Sequence, residues 1–279
     1  MKQENILDLF KLNGQVALIT GGAGLLGAEF CQTLANAGAS VVIADIHYEQ
    51  AIKLAKSINT TGGKAIAIEV DITQPESVQQ MVTQTTKTFG SLDILVNSAV
   101  LDPKFDPLHL QGDTKGNLGE FESYPLNAWN EAISVNLTGA FLSSQAAVKP
   151  MLQQGQGVIV NISSIYGLVG PDQRLYQRPG QPPQFKPVYY SVTKAGILGL
   201  TKYLATYYAG KNIRVNCLTP GGVFNEHDQE FLQSYSTRTV LGRMAYKDEM
   251  NAALLFLVSK ASSYMTGANL VMDGGWSAW

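Results

Sequence analysis

The sequence has little cysteine and little histidine, two and three residues respectively among 279. So few thiols supply no disulfide framework, and neither Cys31 nor Cys217 has a histidine or acidic cluster at ligand spacing beside it. One lies in a predicted helix and the other in a predicted strand. We therefore expect two buried thiols and no metal site.

An excess of charge of one sign is also missing. The formal net charge is −2, so the chain offers no basic field to a nucleic-acid backbone. The first twelve residues mix charged with apolar side chains, which excludes the apolar core of a signal peptide and a membrane span. We expect a cytoplasmic protein that binds a small-molecule substrate and has no nucleic-acid or membrane partner.

Apolar residues make up 45% of the chain, enough for one large core, and no linker or repeat divides it. Short β-rich runs alternate with longer segments of helical period, which predicts an α/β fold with one domain over 1–279. That domain is a Rossmann-type, doubly wound parallel sheet of about seven strands with helices on both faces. The predicted strands lie near 16–20, 40–45, 65–70, 94–97, 158–163, 214–218 and 269–272. The predicted helices lie near 26–37, 49–59, 75–89, 126–151, 190–208, 226–235 and 247–259.

Two connections are longer than this architecture needs. Residues 101–125 follow the fourth predicted strand and residues 165–188 follow the fifth. Both leave the carboxyl ends of strands, the edge at which open α/β sheets bind ligands. We expect both loops to form walls of a substrate site.

The first strand runs into a glycine-rich turn, residues 20–27, and then a helix. Glycines let backbone amides approach a pyrophosphate, although a lone turn of this kind also serves a purely structural role. Asp45 closes the second strand, where a carboxylate accepts hydrogen bonds from an adenosine ribose and repels a 2′-phosphate. An aspartate there is also a common turn or cap residue. Since Ile46 and the turn offer no Lys or Arg, the pattern favours NAD over NADP.

Tyr190 and Lys194 lie one helical turn apart, which places an ammonium beside a phenol. A nearby positive charge favours the phenolate, so we expect Lys194 to lower the pKa of Tyr190 and to make the pair a proton-transfer site. Tyr207 and Lys211 share this spacing, but Gly210 is expected to end their helix. We interpret that second pair as accidental.

The motifs in chain order resemble the short-chain dehydrogenase/reductases from end to end. The matching segments are residues 20–27, 70–72, 97–99, 135–137, 161–164, 190–194 and 220–223. The candidate cofactor-binding residues are Gly21, Gly24, Leu25, Leu26, Gly27, Asp45, Ile46, Asp71, Ile72, Asn97, Ser98, Ala99, Tyr190, Lys194, Pro220, Gly221 and Val223.

The resemblance also implies catalytic roles. Ser164, the second serine of its pair, holds the substrate oxygen; Tyr190 exchanges the proton; Lys194 assists it and holds the cofactor ribose; and Asn136 anchors a water that links Lys194 to solvent. Hydride transfer belongs to the NAD cofactor. The resemblance implies a homo-oligomer, a dimer or tetramer.

The chain departs from the family pattern at three positions. The middle glycine of the turn is Gly24, so Leu25 puts a Cβ where the family has none. Ser98 replaces an Asn, and Asn225 replaces the Thr that follows the Pro-Gly segment. The gap from Ser164 to Tyr190 is also longer than the family's usual gap.

Polar side chains in the loop 165–188 favour a polar substrate, a sugar or sugar phosphate, although exposed loops are commonly charged in any case. The substrate-binding candidates are Arg174, Arg178, Tyr176 and Asn225. The segments 171–176 and 274–276 resemble a subgroup of bacterial oxidoreductases linked to flagellin modification and nonulosonic-acid sugar synthesis. The alternatives are a reductase of non-sugar carbonyls, such as acyl thioesters or gluconate-like acids, and a catalytically silent nucleotide-binding relative.

Overall fold

The computed structural model describes residues 5–102, 120–177, 180 and 183–279. Most of the predicted loop 101–125 and the substrate candidate Arg178 lie outside the described residues.

Seven parallel strands form one sheet in the order β3-β2-β1-β4-β5-β6-β7, which confirms the predicted fold class. The order reverses between β1 and β4, and ligands of open α/β sheets bind at such a switch point. The strands are β1 (Val16–Thr20), β2 (Ser40–Asp45), β3 (Lys64–Glu69), β4 (Ile94–Asn97), β5 (Gly157–Ile162), β6 (Ile213–Pro220) and β7 (Asn269–Met272).

Eight α-helices connect or flank these strands in the part of the chain that the structure describes. They are α1 (Leu25–Asn36), α2 (Tyr48–Thr60), α3 (Pro75–Phe89), α4 (Leu126–Ile133), α5 (Gly139–Gln154), α6 (Val188–Tyr207), α7 (Gln229–Ser236) and α8 (Asn251–Val258).

Alternating side chains of the buried strands build two cores, one on each face of the sheet. On one face, Ile19 of β1 belongs to the same cluster as Phe30 of α1 and Leu254 of α8. On the other face, Leu18 belongs to a cluster with Met81 of α3. Successive strand residues point to opposite faces, so one apolar run supplies both cores. The packed cores fix the sheet and thereby the position of the carboxyl ends of its strands.

The segment predicted as one helix over 126–151 is interrupted. A π-helical turn, Ser134–Thr138, lies between α4 and α5. The predicted start of a helix at Glu226 is wrong, because Glu226 has a left-handed backbone with φ 57°. Helix α7 begins three residues later, after Asp228 caps the Phe231 amide. The last predicted helix, 247–259, is shorter in the structure and covers only α8.

Three smaller predictions are also tested by the structure. Cys31 and Cys217 are both free and buried, as expected. Helix α6 ends at Tyr207 and Gly210 adopts φ 74°, so Lys211 lies beyond the helix and its pairing with Tyr207 is accidental. No helix in the described ranges is both long and apolar enough to cross a bilayer.

Candidate active site

The candidate site lies at the carboxyl ends of β1, β4 and β5, beside the switch point of the sheet. The Thr20 hydroxyl lies within hydrogen-bond distance of the amides of Ser98 and Ala99, at 3.3 and 3.5 Å. This hydroxyl therefore ties the glycine-rich turn after β1 to the segment after β4.

The glycines of that turn are required by close backbone contacts. Gly21 has φ 64°, and a Cβ there would lie 2.6 Å from the Ala99 Cα. A Cβ on Gly27 would lie 2.0 Å from the Gly21 carbonyl oxygen. Both positions exclude a side chain, so the turn packs closely against the segment after β4 and against itself, as in a glycine-rich phosphate-binding turn.

The N-terminus of α1 is available to an anion. Gly24 is its N-cap residue and makes no side-chain capping bond, and the first turn of the helix holds no acidic residue. The uncapped amides and the helix dipole both favour negative charge at this point. A dinucleotide pyrophosphate therefore fits the residues present.

Asp45 is buried and braces the same turn. Its two carboxylate oxygens accept hydrogen bonds from the amides of Ala23 and His47, each at 2.9 Å. A carboxylate has about four acceptor sites, so each oxygen keeps capacity for a ribose hydroxyl. Ile46 follows with its side chain 61% exposed.

The other cofactor candidates lie along the same edge. Asp71 accepts two bonds from Thr73 on its Oδ1 atom, which makes it a turn residue as well as an adenine candidate. Asn97 is buried and donates to Ser144 at 3.0 Å and to Asn161 at 2.8 Å, joining β4 to β5 and α5. Pro220 ends β6, Gly221 donates to Met272 at 2.8 Å, and Val223 bridges to Ala245. Ile72 packs against Gly139.

Ser164 and Tyr190 meet at the end of β5. Ser164 is 8% exposed, and its hydroxyl accepts from the Tyr166 amide and hydrogen-bonds the Tyr190 phenol. The hydroxyl of Ser163 points elsewhere, donating to the Lys194 carbonyl at 2.8 Å. The geometry therefore brings Ser164, and not Ser163, to the phenol.

The structure does not show the lowered pKa of Tyr190 that the spacing predicts, and the effect of Lys194 on that pKa stays a prediction. The pKa of the Tyr190 phenol is raised, chiefly by burial and further by Asp102, while its hydrogen bond with Ser164 opposes the rise. Lys194 is itself buried, which lowers its pKa to about 8. Its Nζ donates to the Ile162 carbonyl at 2.9 Å and lies 5.7 Å from the centre of the Tyr190 ring.

Asn136 lies within the π-helical turn, a distortion that is frequent at functional sites. Its side-chain amide pairs with the backbone of Leu101, accepting from the amide at 2.6 Å and donating to the carbonyl at 3.1 Å. Both ends of the side chain are thus engaged with the segment after β4. The side-chain amide therefore holds this segment, and the expected water anchored by Asn136 toward Lys194 stays a prediction.

Comparisons with known proteins show the family to which the chain belongs. A family model described as enoyl-(acyl carrier protein) reductase matches residues 22–277. A short-chain type dehydrogenase/reductase from Mycobacterium marinum shares the fold with a TM-score of 0.84 and 33% identity, over 99% of this chain and all of that one. The chain belongs to the short-chain dehydrogenase/reductase family.

Two other members of the family are named for their substrates. D-threitol dehydrogenase from Mycolicibacterium smegmatis is 34% identical over 281 residues, covering 99% of this chain and 98% of its own. A gluconate 5-dehydrogenase from Burkholderia cenocepacia, solved with NADP and tartrate, has 30% identity and a TM-score of 0.84, covering 99% of this chain and all of its own.

Two of the predicted substrate-binding side chains in the loop 165–188, those of Arg174 and Tyr176, have partners within the protein. Arg174 and Arg238 both pair with Asp172, at 2.8 and 2.6 Å. The hydroxyl of Tyr176 donates to Tyr166 at 2.9 Å, and both rings are buried. Arg174 therefore already has a carboxylate partner. Tyr176 packs in the interior and also donates a hydrogen bond. Asn225 is half-buried and donates its backbone amide to His227.

Lys186 lies at the site but is not among the residues that the sequence predicts there. It is 8% exposed, and its Nζ lies 4.0 Å from the centre of the Tyr190 ring and 2.5 Å from Asp102. The only sequence signal is its place among the cations of the loop 165–188. The partner carboxylate lies 84 residues away along the chain, so no local pattern could have indicated the pair.

We expect Gly27→Ala to weaken NAD binding about tenfold or more, because the added Cβ forces the Gly21 carbonyl out of the turn. Titration calorimetry with NAD measures the change. Gly199→Ala, in α6 where no atom lies within 4 Å of the new Cβ, is the matched control and should bind NAD like the unmodified protein. Equal affinity in both variants would contradict the cradle assignment.

Proposed function

We propose that the protein is an NAD-dependent oxidoreductase that interconverts an alcohol and a carbonyl on a polar substrate, a sugar or sugar-phosphate derivative. The proposal rests on the Ser164 hydroxyl, which lies close enough to the Tyr190 phenol to lower its pKa, and on Lys194, whose Nζ lies 5.7 Å from the centre of the Tyr190 ring. A nicotinamide dinucleotide, when bound, supplies or accepts the hydride. The cytoplasmic location and the homo-oligomer remain predictions.

Each residue has one task in this proposal. Ser164 holds the substrate oxygen beside the phenol, and Tyr190 gives its proton to that oxygen in reduction or takes it in oxidation. Because burial raises the pKa of Tyr190, the phenol keeps its proton near neutral pH and is set to act as a donor. Lys194, whose pKa is about 8, is the neighbouring group that changes charge near that pH.

The preference for NAD rests on Asp45. Its carboxylate lies at the end of β2, beside the glycine-rich turn, where it would accept from ribose hydroxyls and repel a 2′-phosphate. Gly21, Gly27 and the N-terminus of α1 would hold the pyrophosphate.

The substrate class is supported by the polar groups near Tyr190 and by a relative named for a polyol. Asp102 pairs with Lys186, and Asp172 pairs with both Arg174 and Arg238, so these cations already have carboxylate partners within the protein. Non-sugar carbonyls are the second candidate class, favoured by the description of the matching family model.

A panel of substrates tests the class. Polyols, sugars, sugar phosphates, nucleotide sugars and nonulosonic-acid precursors are assayed beside keto acids, acyl thioesters and apolar ketones, by the absorbance of the reduced cofactor. We expect turnover on hydroxylated substrates with NAD. Turnover on apolar ketones alone would refute the sugar assignment, and turnover on acyl thioesters alone would select the second candidate class.

A further inference from the structure

Two side-chain amides hold the ends of the segments that frame Tyr190. Asn136 pairs with the amide and carbonyl of Leu101, next to Asp102. Gln173 pairs in the same way with Lys186, accepting from its amide at 2.8 Å and donating to its carbonyl at 3.2 Å. Gln173 therefore holds the backbone of Lys186 directly, and Asn136 holds the backbone of Leu101, the residue next to Asp102.

The pair lies directly against the proton-transfer site. The Lys186 Nζ lies 4.0 Å from the centre of the Tyr190 ring, within the range of a cation–π interaction. Lys186 is 9% exposed at its side chain, whereas Asp102 is 39% exposed, so the cation is the buried partner.

We propose that Asp102 and Lys186 are positioning residues for the proton-transfer site, a clamped charge pair that holds the Tyr190 ring and balances the field around Tyr190 and Lys194. The inference rests on the proposed function, in which these two groups transfer the proton.

Several other charged or titratable groups face the site from neighbouring elements. Tyr166 meets the Tyr190 ring edge-on at 6.5 Å. Asp102 raises the pKa of both Tyr190 and Lys194, whereas Lys186 lowers that of Lys194. The groups that act on Tyr190 or Lys194 are Ser164, Tyr166, Tyr189, Asp102, Lys186 and Cys217. Asp102 raises the pKa of Lys194 and Lys186 lowers it. Removing Asp102 alone should therefore lower that pKa, and removing Lys186 alone should raise it.

The test is the titration of Lys194, followed by NMR of lysines labelled at the ε-carbon and assigned with Lys194→Met. Asp102→Asn removes a nearby anion that raises the pKa of Lys194, so the Lys194 midpoint, about 8, should fall by about half a unit. Lys186→Met removes a like charge and leaves Asp102 unpaired, so the midpoint should rise by about as much. The double variant should return close to the unmodified value, and the pH profile of kcat/KM should move in the same directions.

A merely structural role predicts something else. Loss of packing would shift both single variants in the same direction or in neither, and either outcome overturns the proposal. Lys186→Arg keeps the cation and should restore the unmodified midpoint. Lys186→Gln and Asp102→Ser replace the first variants should one of those fail to fold. Lys247→Met and Glu29→Gln break an ion pair elsewhere, at 2.7 Å, and should leave the midpoint unchanged.

The titration uses no substrate, which separates the two proposals. Opposite shifts without turnover on any member of the substrate panel would refute the proposed function and support the balancing of charge. Turnover on sugars without opposite shifts would support the function and overturn the role of the pair.

Discussion

Replacing Tyr190 by Phe should lower kcat by about 10²- to 10⁴-fold and leave NAD affinity within about twofold. The substitution removes the hydroxyl that bonds Ser164 and keeps the ring on which Lys186 lies. The loss should therefore fall on proton transfer and spare binding. Steady-state kinetics with the best substrate of the panel, together with calorimetric titration of NAD, measure both quantities.

The adjacent tyrosine provides a matched control. Tyr189 is buried on another side of α6, with its ring 6.1 Å from that of Tyr124. Tyr189→Phe should therefore keep most of the turnover. Near-normal turnover in Tyr190→Phe would mean that another group transfers the proton.

Replacing Asp45 by Ala should weaken NAD binding about ten- to a hundredfold and relax discrimination against NADP. Hydrogen bonds to a charged group are worth about 1.5–3 kcal/mol, and the substitution removes the proposed hydrogen bonds to the ribose. It also removes the negative charge that would repel a 2′-phosphate. Binding of NAD and NADP, measured by calorimetry, gives the ratio directly.

Because Asp45 also braces Ala23 and His47, the Ala variant loosens the turn as well. Asp45→Asn removes the charge and keeps one acceptor oxygen, so it should relax the NADP discrimination with a smaller loss of NAD affinity. Glu69, the neighbour of Asp45 in register on β3, is the control: Glu69→Gln should leave the ratio unchanged. An unchanged ratio in both Asp45 variants would show that another group reads the ribose.

Much of the site follows from local pattern. The strand-to-helix turn after β1 requires glycine at positions 21 and 27, because a Cβ at either place would meet backbone atoms. Ser164 follows β5 and Tyr190 lies in the first turn of α6, so parallel pairing alone brings them toward one edge of the sheet. The catalytic roles of these two residues, in contrast, are implied by the family resemblance.

The pKa shifts, the charge partners and the local helix geometry of other site residues could not be predicted from local sequence pattern. The spacing of Tyr190 and Lys194 predicts a lowered phenol pKa, but burial raises the pKa of the Tyr190 phenol and lowers the pKa of Lys194. Arg174 reads as a substrate-binding cation in the loop sequence, whereas the structure pairs it with Asp172. The π-helical turn at Asn136 interrupts a segment whose apolar period reads as one helix.

The alternation of apolar strands and amphipathic helices, with glycine at the turn, determines the parallel sheet and the edge at which the site lies, since these depend on neighbours along the chain. The Asp102–Lys186 pair, the clamps from Asn136 and Gln173, and the protonation of Tyr190 are decided only by the tertiary structure. They depend on which distant side chains meet, and on how much water the packed fold leaves beside them.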